Sequence, residues 1–425
     1  MADPVSGAGF PPALQGERGN ELPFLKVGEL GRTNSQGYFA EPPDTIDRDT
    51  ASLLRADLIA PGTPVLAKIG AAVSLRRVGV TGITSCIDNN MVAMVPRPGT
   101  HPRYLYFALH LLDPDLLLNG GAVPNLNMGW VRQTALPWFD PWMQQQIADY
   151  LDHETAEIDA FIADLEKLKS TLDEHRMAEL ASVLPYPTDL FRADSSTVVP
   201  LRHLGSITLG KMLDPSPTTA ESEYRYLRAA NIQPLGRLDL SDLKTMHFTR
   251  SERALMDVRR NDVLIVEGGQ GGFGRAAYAH KDLPELGFQN SIVRVRPHSG
   301  VDGRYVAYAL HLLRHAGYIK TIASVTSMPH FTAEKVAVTP VPIASPERQR
   351  EVADALDARW AEVANVSADI DAAIALAKER RAALITAAVT GQIDVTTRQK
   401  PMVDSIGFDT RAARATQPPT TVGAR

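Results

Sequence analysis

Apolar residues recur at spacings of three, four and seven along two long stretches of the chain. In the first they are Ile147, Leu151, Ile158, Ile162, Leu165, Leu168 and Leu172. In the second they are Val352, Leu356, Val363, Val366, Ile370, Ile374 and Leu384. A stripe this narrow predicts a coiled-coil seam. Each stretch runs for roughly 40 residues, or about 60 Å of helix. Prolines at 185 and 187 stop the first, and Gly391 closes the second. The segments before them show a mixed pattern. Strand-like runs start at Pro64 (PVLAKIG), Met91 (MVAMVP), Val263 (VLIVEGG) and Ser291 (SIVRVRP), and a helical YLYFALHLL or YVAYALHLL follows in each segment.

The chain is written twice. Residues 141–180 align without a gap with 346–385, with 13 identities in 40 positions. RYLYFALHLL from Arg103 matches RYVAYALHLL from Arg304 at seven positions in ten. The expected class is α+β: two mixed α/β globular segments separated by two long antiparallel coiled-coil helices, with an internal pseudo-two-fold repeat. The expected boundaries are 1–140, a helix over 141–185, 197–340, a helix over 341–395, and a disordered tail over 396–425. Seam residues Ile147, Leu151, Ile158, Ile162, Leu165, Leu172, Val352, Leu356, Val363, Ile370 and Ile374 form the expected helix-pair interface. The alternative is that each helix packs on its own globular segment. Residues 1–20 read as flexible coil. Aligning Leu22 with Tyr224 places the counterpart of the strand-forming VVPLRHLGSITLGK (Val198 onward) before residue 1, so the first segment is expected to lack its first strand and to be truncated.

Composition narrows the function. Cys86 is the single cysteine, which excludes an intrachain disulfide and a cysteine zinc cluster. No apolar run suits a signal peptide or membrane span, which predicts a cytoplasmic protein with no membrane contact. Net charge is −5, yet it is unevenly spread. Residues 197–340 carry 18 Lys/Arg against 13 Asp/Glu, whereas 141–196 carry 4 against 12. The second globular segment is basic and the first helix acidic, a contrast that the net charge hides, and a basic segment in an acidic chain is a candidate for phosphate contact.

Two glycine motifs imitate nucleotide sites. Gly205–Lys211 fits G-x-x-x-x-G-K, but Met212 stands where a hydroxyl must hold Mg²⁺, and no helix follows. A strand ending in a turn at Gly210 is the better reading. Gly269–Gly274 fits G-x-G-x-x-G, but the residues after it read as strand and loop, not the helix a dinucleotide fold requires. It is either a DNA-facing turn carrying Gln270 and Arg275, residue types that read base edges, or an ordinary surface turn. Arg250, Arg253, Arg259 and Arg260 precede it and are phosphate contacts or a solvated face. Lys68, Arg76 and Arg77 surround the equivalent turn of the first segment. His110 and His311 fall in repeated helices and read as packing residues. No catalytic motif, metal ligand set or cofactor site emerges. A nucleotide-dependent enzyme built on the glycine loops is the rival class.

The order globular–helix–globular–helix resembles the specificity subunits of Type I restriction–modification enzymes. The resemblance rests on PxxQ…(I/V)AxxLD at the start of each helix and on ERRAALITAAVTGQIDV (Glu379–Val395) at the end of the second. It implies two target-recognition domains, each reading one half of a split, asymmetric site in double-stranded DNA. The helix pair would set the gap and dock two methyltransferase subunits, with the restriction–translocase subunits joining through those. The subunit itself would be non-catalytic and hold no cofactor. A truncated first domain would instead give a defective or purely structural assembly subunit.

Overall fold

The computed structural model describes residues 1–40, 42, 44–119, 123–184, 198–214, 223–269, 272–323 and 329–396. The expected tail and the prolines at 185 and 187 therefore lie outside the described residues, except for Thr396. Two compact units emerge: Met1–Ala163 with Ile374–Arg425, and Asp164–Ala373.

In the first unit the strands are β1 (Ala2–Ser6), β2 (Leu22–Leu25), β3 (Thr45–Ile46), β4 (Pro64–Ala67), β5 (Val78–Val80), β6 (Cys86–Ile87) and β7 (Met91–Pro96). The helices are α1 (Arg48–Leu53), α2 (Ala71–Ser74), α3 (Pro102–Ala108), α4 (Pro114–Leu117), α5 (Met128–Gln133) and the long α6 (Pro141–Val183). One sheet runs β1-β7-β4-β5 and a smaller one β3-β2-β6, with β2 and β6 parallel.

The second unit has β8 (Val198–Pro200), β9 (Gly205–Leu209), β10 (Glu223–Leu227), β11 (Lys244–His247), β12 (Val263–Val266), β13 (Ala276–Tyr278), β14 (Leu286–Phe288), β15 (Ile292–Pro297) and β16 (Pro340–Pro342). Its helices are α7 (Arg250–Leu255), α8 (Gly303–His315), α9 (Tyr318–Ala323), α10 (Ala333–Val338) and the long α11 (Pro346–Val389); α11 from Ile374 belongs to the first unit and α6 from Asp164 to the second. Here the sheets run β9-β15-β12-β13 and β11-β10-β14, with β10 and β14 parallel. The topology of the first unit is therefore repeated strand for strand. A pairing of β8 with β16 is added.

That correspondence corrects part of the expectation of a missing first strand: the counterpart of β9 is present as β1, whereas β8 has no counterpart among the described residues of the first unit. β1 pairs antiparallel with β7 from Ala2–Pro96 to Ser6–Val92, as β9 pairs with β15 from Gly205–Pro297 to Leu209–Val293. Directly after each strand stands a glycine, Gly7 or Gly210, where a Cβ would collide with the carbonyl of Asp88 or Gln289. Asp3, Pro4 and Ser6 are poor strand formers, which is why the segment reads as coil. β1 is an edge strand, however, and an edge tolerates proline because one row of its backbone groups has no strand to bond. Gly205–Leu209, the false phosphate loop, is likewise a strand.

In the first unit, Ile147, Ala148 and Leu151 of α6 share one core with Ile385, Ala388 and Val389 of α11. Asp159 of α6 pairs with Arg381 of α11 at 3.0 Å. In the second unit, Met177 and Leu180 share a core with Val352, Ala353, Leu356 and Trp360, and Lys169 binds Asp371 at 2.5 Å. Numbers rise on one helix as they fall on the other, so the pairing within each unit is antiparallel. Ile158, Ile162, Ile370 and Ile374 are buried; Leu165, Leu172 and Val363 are partly so.

The seam differs from expectation at two places. Leu168 is 46% and Val366 43% exposed. A strict alternation of fours and threes from Ile158 passes through Lys169 and Arg176 instead, and the seam on α11 takes Ser367. These polar residues hold seam positions by pairing: Lys169 with Asp371, and Arg176 by donating to the Trp360 carbonyl at 3.0 Å while stacking on its ring.

Candidate nucleic-acid interface

The strand pairing locates the glycine turn and its counterpart. β12 and β13 are joined tightly, Gly274 donating to Val266 and Val266 to Arg275, each at 2.8 Å. Ile265 faces Ala276 in this hairpin, and Leu66 faces Val78 between β4 and β5. Arg275 and Arg77 thus stand at the same place, immediately before the returning strand. The residues before them, Gly274 and Arg76, both have left-handed φ (73° and 51°), as do Gly269 and Gly70 (107° and 88°). Glycine takes that conformation freely; an arginine takes it at some cost. So at that position the first unit holds a strained arginine where the second has a glycine.

Both arginines reach the short helical turn that follows β2 or β10. Arg275 is half-buried, its Nη2 3.4 Å from the Ala229 carbonyl, and burial pushes its pKa down. Arg77 is exposed, and its guanidinium lies so close to Gly31 that a Cβ there would strike it. Gln270 lies outside the described residues.

The four arginines ahead of the glycine turn do not form one free patch. Arg250 is exposed on α7, whereas Arg253 lays its guanidinium over the Tyr224 ring at 4.9 Å. Arg259 is tied to the Asp257 carboxylate at 2.5 Å. Arg260 is exposed, its backbone N–H donating to Asp282. Arg76 in the first unit is bridged to Asp113 at 2.8 Å and Asp115 at 3.7 Å, and Lys68 is half-buried. An arginine already paired gains less from a phosphate, so Arg77, Arg250 and Arg260 are the more available cations.

Part of the positive charge of the second unit is consumed internally. Arg296 grips Asp262 with two hydrogen bonds of 2.8 Å, which raises its pKa. Arg294 donates to the Asp257 carbonyl at 2.6 Å and to Thr208, and its burial acts the other way. Both point from the same face of β15, as their i, i+2 spacing in VRVRP signals. Counting charges alone misses this network.

A second constellation fixes each sheet unit to its long helix. Gln144 is buried; its Oε1 accepts from His101 N–H at 2.7 Å, and its Nε2 donates to the Gly99 and Phe139 carbonyls. Gln349 does the same with Asp302 N–H (3.0 Å) and the Ala344 carbonyl (2.8 Å). Arg103 binds Asp152, and Arg304 binds Asp302, Asp354 and Asp357. Asp357 also accepts from Tyr278 at 2.7 Å and Tyr308 at 2.5 Å. Tyr278 ends β13, so the strand that leaves the glycine turn is tied to α11. The repeated histidines are packing groups, as expected: burial pushes His110 and His311 down to about 4.

Among the described residues no group of three or more His, Cys, Asp or Glu could hold a metal ion, and no helix is long and apolar enough to cross a membrane.

No known protein family and no curated protein matches the sequence. Solved structures do match in shape. A chain from work on complex assembly and conformational transition of a type I R-M system superposes with a TM-score of 0.59 at 15% identity, over 87% of this chain and 91% of that one. The HsdS subunit from Thermoanaerobacter tengcongensis gives 0.41 at 16% identity, over 87% and 90%. The S subunit of a Type-I restriction-modification system from M. genitalium gives 0.36 at 14%, over 91% and 93%. The first of these shares its fold with this chain.

Proposed function

We propose that this chain is the DNA sequence-recognition subunit of a Type I restriction–modification complex and is itself non-catalytic. Each sheet unit reads one half of a bipartite, asymmetric site. The domains run as the sequence divides them, over 1–140 and 197–340, each followed by its long helix, α6 or α11. The helix pair sets the gap between half-sites and docks methyltransferase subunits, through which the restriction subunits join.

The observation that carries the reading is the duplicated turn. Two units of one topology place Arg77 and Arg275 at the same register position. The surrounding side chains differ, as two readers of unlike half-sites require. The shared fold with a chain of a type I R-M system supports the same assignment. Exposed Asp149, Glu157 and Asp164 on α6 recur as Asp354, Glu362 and Asp369 on α11. Asp354 is already held by Arg304 and Asp149 by Gln145, whereas a partner docked twice would give a reason to keep the other two pairs. β1 supplies the counterpart of β9 and so supports a first reader built on the same sheet as the second. The proposed DNA contacts are Gln270, Arg275, Arg250, Arg253, Arg259 and Arg260 in the second unit and Lys68, Arg76 and Arg77 in the first, with the exposed arginines foremost.

The test is to remove four residues, about one turn, from one long helix and map the modified sites in cells that also express the methyltransferase. The gap should change and the half-sites should not. Changed bases at an unchanged gap would refute the assignment of the helices as a spacer.

A further inference from the structure

The two turns share a frame and carry opposite charge at one position. Lys68 and Glu267 each follow the outgoing strand of the hairpin. Each donates its N–H across to the loop before the next paired strand, Lys68 to Asn90 at 2.7 Å and Glu267 to Ser291 at 2.9 Å. Each carbonyl receives a hydrogen bond from a later segment, from Leu126 at 2.9 Å and from Phe331 at 2.6 Å. The next residues, Ile69 and Gly268, bridge antiparallel to Asn125 and His330. The backbone is therefore the same in both units, and the difference lies in the side chains.

In the second unit the His330 Nδ1 sits 3.3 Å from Glu267 Oε2. The His330 ring packs so closely on Gly268 that a Cβ there would collide with it. The pair stays accessible: the His330 side chain is 46% exposed and that of Glu267 20%. A carboxylate on a DNA-facing surface is repelled by phosphate, and when ionised it only accepts hydrogen bonds. In the major groove its matches are amino groups, N4 of cytosine foremost and N6 of adenine. A lysine only donates, and its matches are the N7 and O6 acceptors of guanine.

We propose that Glu267, oriented by His330, is a specificity-determining residue that reads an exocyclic amino group of cytosine or adenine in the half-site of the second unit. Lys68 occupies the corresponding place in the first unit and selects an acceptor-bearing base. This rests on the recognition reading above and adds to it which chemistry each unit seeks.

The experiment uses the full chain with its methyltransferase partner to modify a library of randomised DNA duplexes, which is then sequenced. Glu267→Gln adds a donor to the side chain and should lower discrimination about tenfold or more at one position of one half-site, leaving every other position alone. His330→Asn should loosen the same position. Lys68→Glu should alter only the other half-site. An unchanged motif with lower overall modification would overturn the proposal, because it marks a phosphate contact or a folding role. Equal changes in both half-sites would do the same. A wild-type complex that modifies no two-part motif would refute the recognition reading itself, an outcome distinct from a variant whose motif does not move.

Discussion

Gln144 and Gln349 perform one task twice. Each sits one turn into its long helix, accepts a backbone N–H from the start of the helix that closes its sheet unit, and donates to the linker just before its own helix. Burial makes these bonds matter, since an orphaned buried polar group costs roughly 1–3 kcal/mol. Gln349→Ala should destabilise the chain by about 2 kcal/mol, measured as a lower urea midpoint. Hydrogen exchange should quicken first at Asp302. The exposed neighbour Arg350→Ala should leave the midpoint nearly unmoved.

Asp357 gathers Tyr278, Tyr308 and Arg304 on one carboxylate, whereas Asp354 shares only Arg304 and is 69% exposed. Removing the charge from a partly buried hub leaves its donors without a strong acceptor. Asp357→Asn should therefore cost about 2 kcal/mol, and Asp354→Asn less than about 0.5 kcal/mol. Thermal unfolding of the two variants side by side decides it. Equal losses would show that the tyrosines gain nothing from Asp357.

His311 is buried against Trp360, and its pKa falls from 6.5 to about 4 on folding. Between those values the unfolded chain binds a proton that the folded chain refuses. Stability is thus fully present above pH 6.5 and lost as pH falls toward 4. At pH 5 the loss from this residue is about 2 kcal/mol. His311→Gln should flatten the fall in melting temperature between pH 6.5 and 4.5, whatever its effect at pH 7. An unchanged slope would mean that the ring is not held neutral.

Arg77 and Arg275 occupy one register position in two units. Arg77→Ala and Arg275→Ala should therefore damage recognition of different half-sites, each by about tenfold or more. Sequencing of modified sites gives the comparison directly. Loss of the same half-site by both variants would break the correspondence between unit and half-site.

The repeat, the long helices and the central strands β4, β7, β12 and β15 were legible in the sequence because each leaves a periodic trace. β1 was not, since an edge strand can be built from Asp, Pro and Ser when one neighbouring strand supplies its bonds. Of the expected seam, Ile158 and Ile370 are buried, whereas Leu168 and Val366 are exposed. There the geometry selects Lys169 and Ser367, which no hydrophobic pattern would pick out. Arg77 and Arg275 were visible as residue types, but their equivalence needed strand register. The pairing of Arg76 with Asp113 and Asp115, and of Arg259 with Asp257, needed coordinates, because charge counts do not reveal which cations are already spent.

The arginines set into the helix seam have a further effect. An apolar seam repeating every seven residues could slide by one repeat and still match. Moving Arg381 away from Asp159, or Arg176 away from the Trp360 carbonyl, would leave a largely buried charge without its partner. Sliding is therefore opposed, and a change in the length of the helix pair must arise by gain or loss of helical turns.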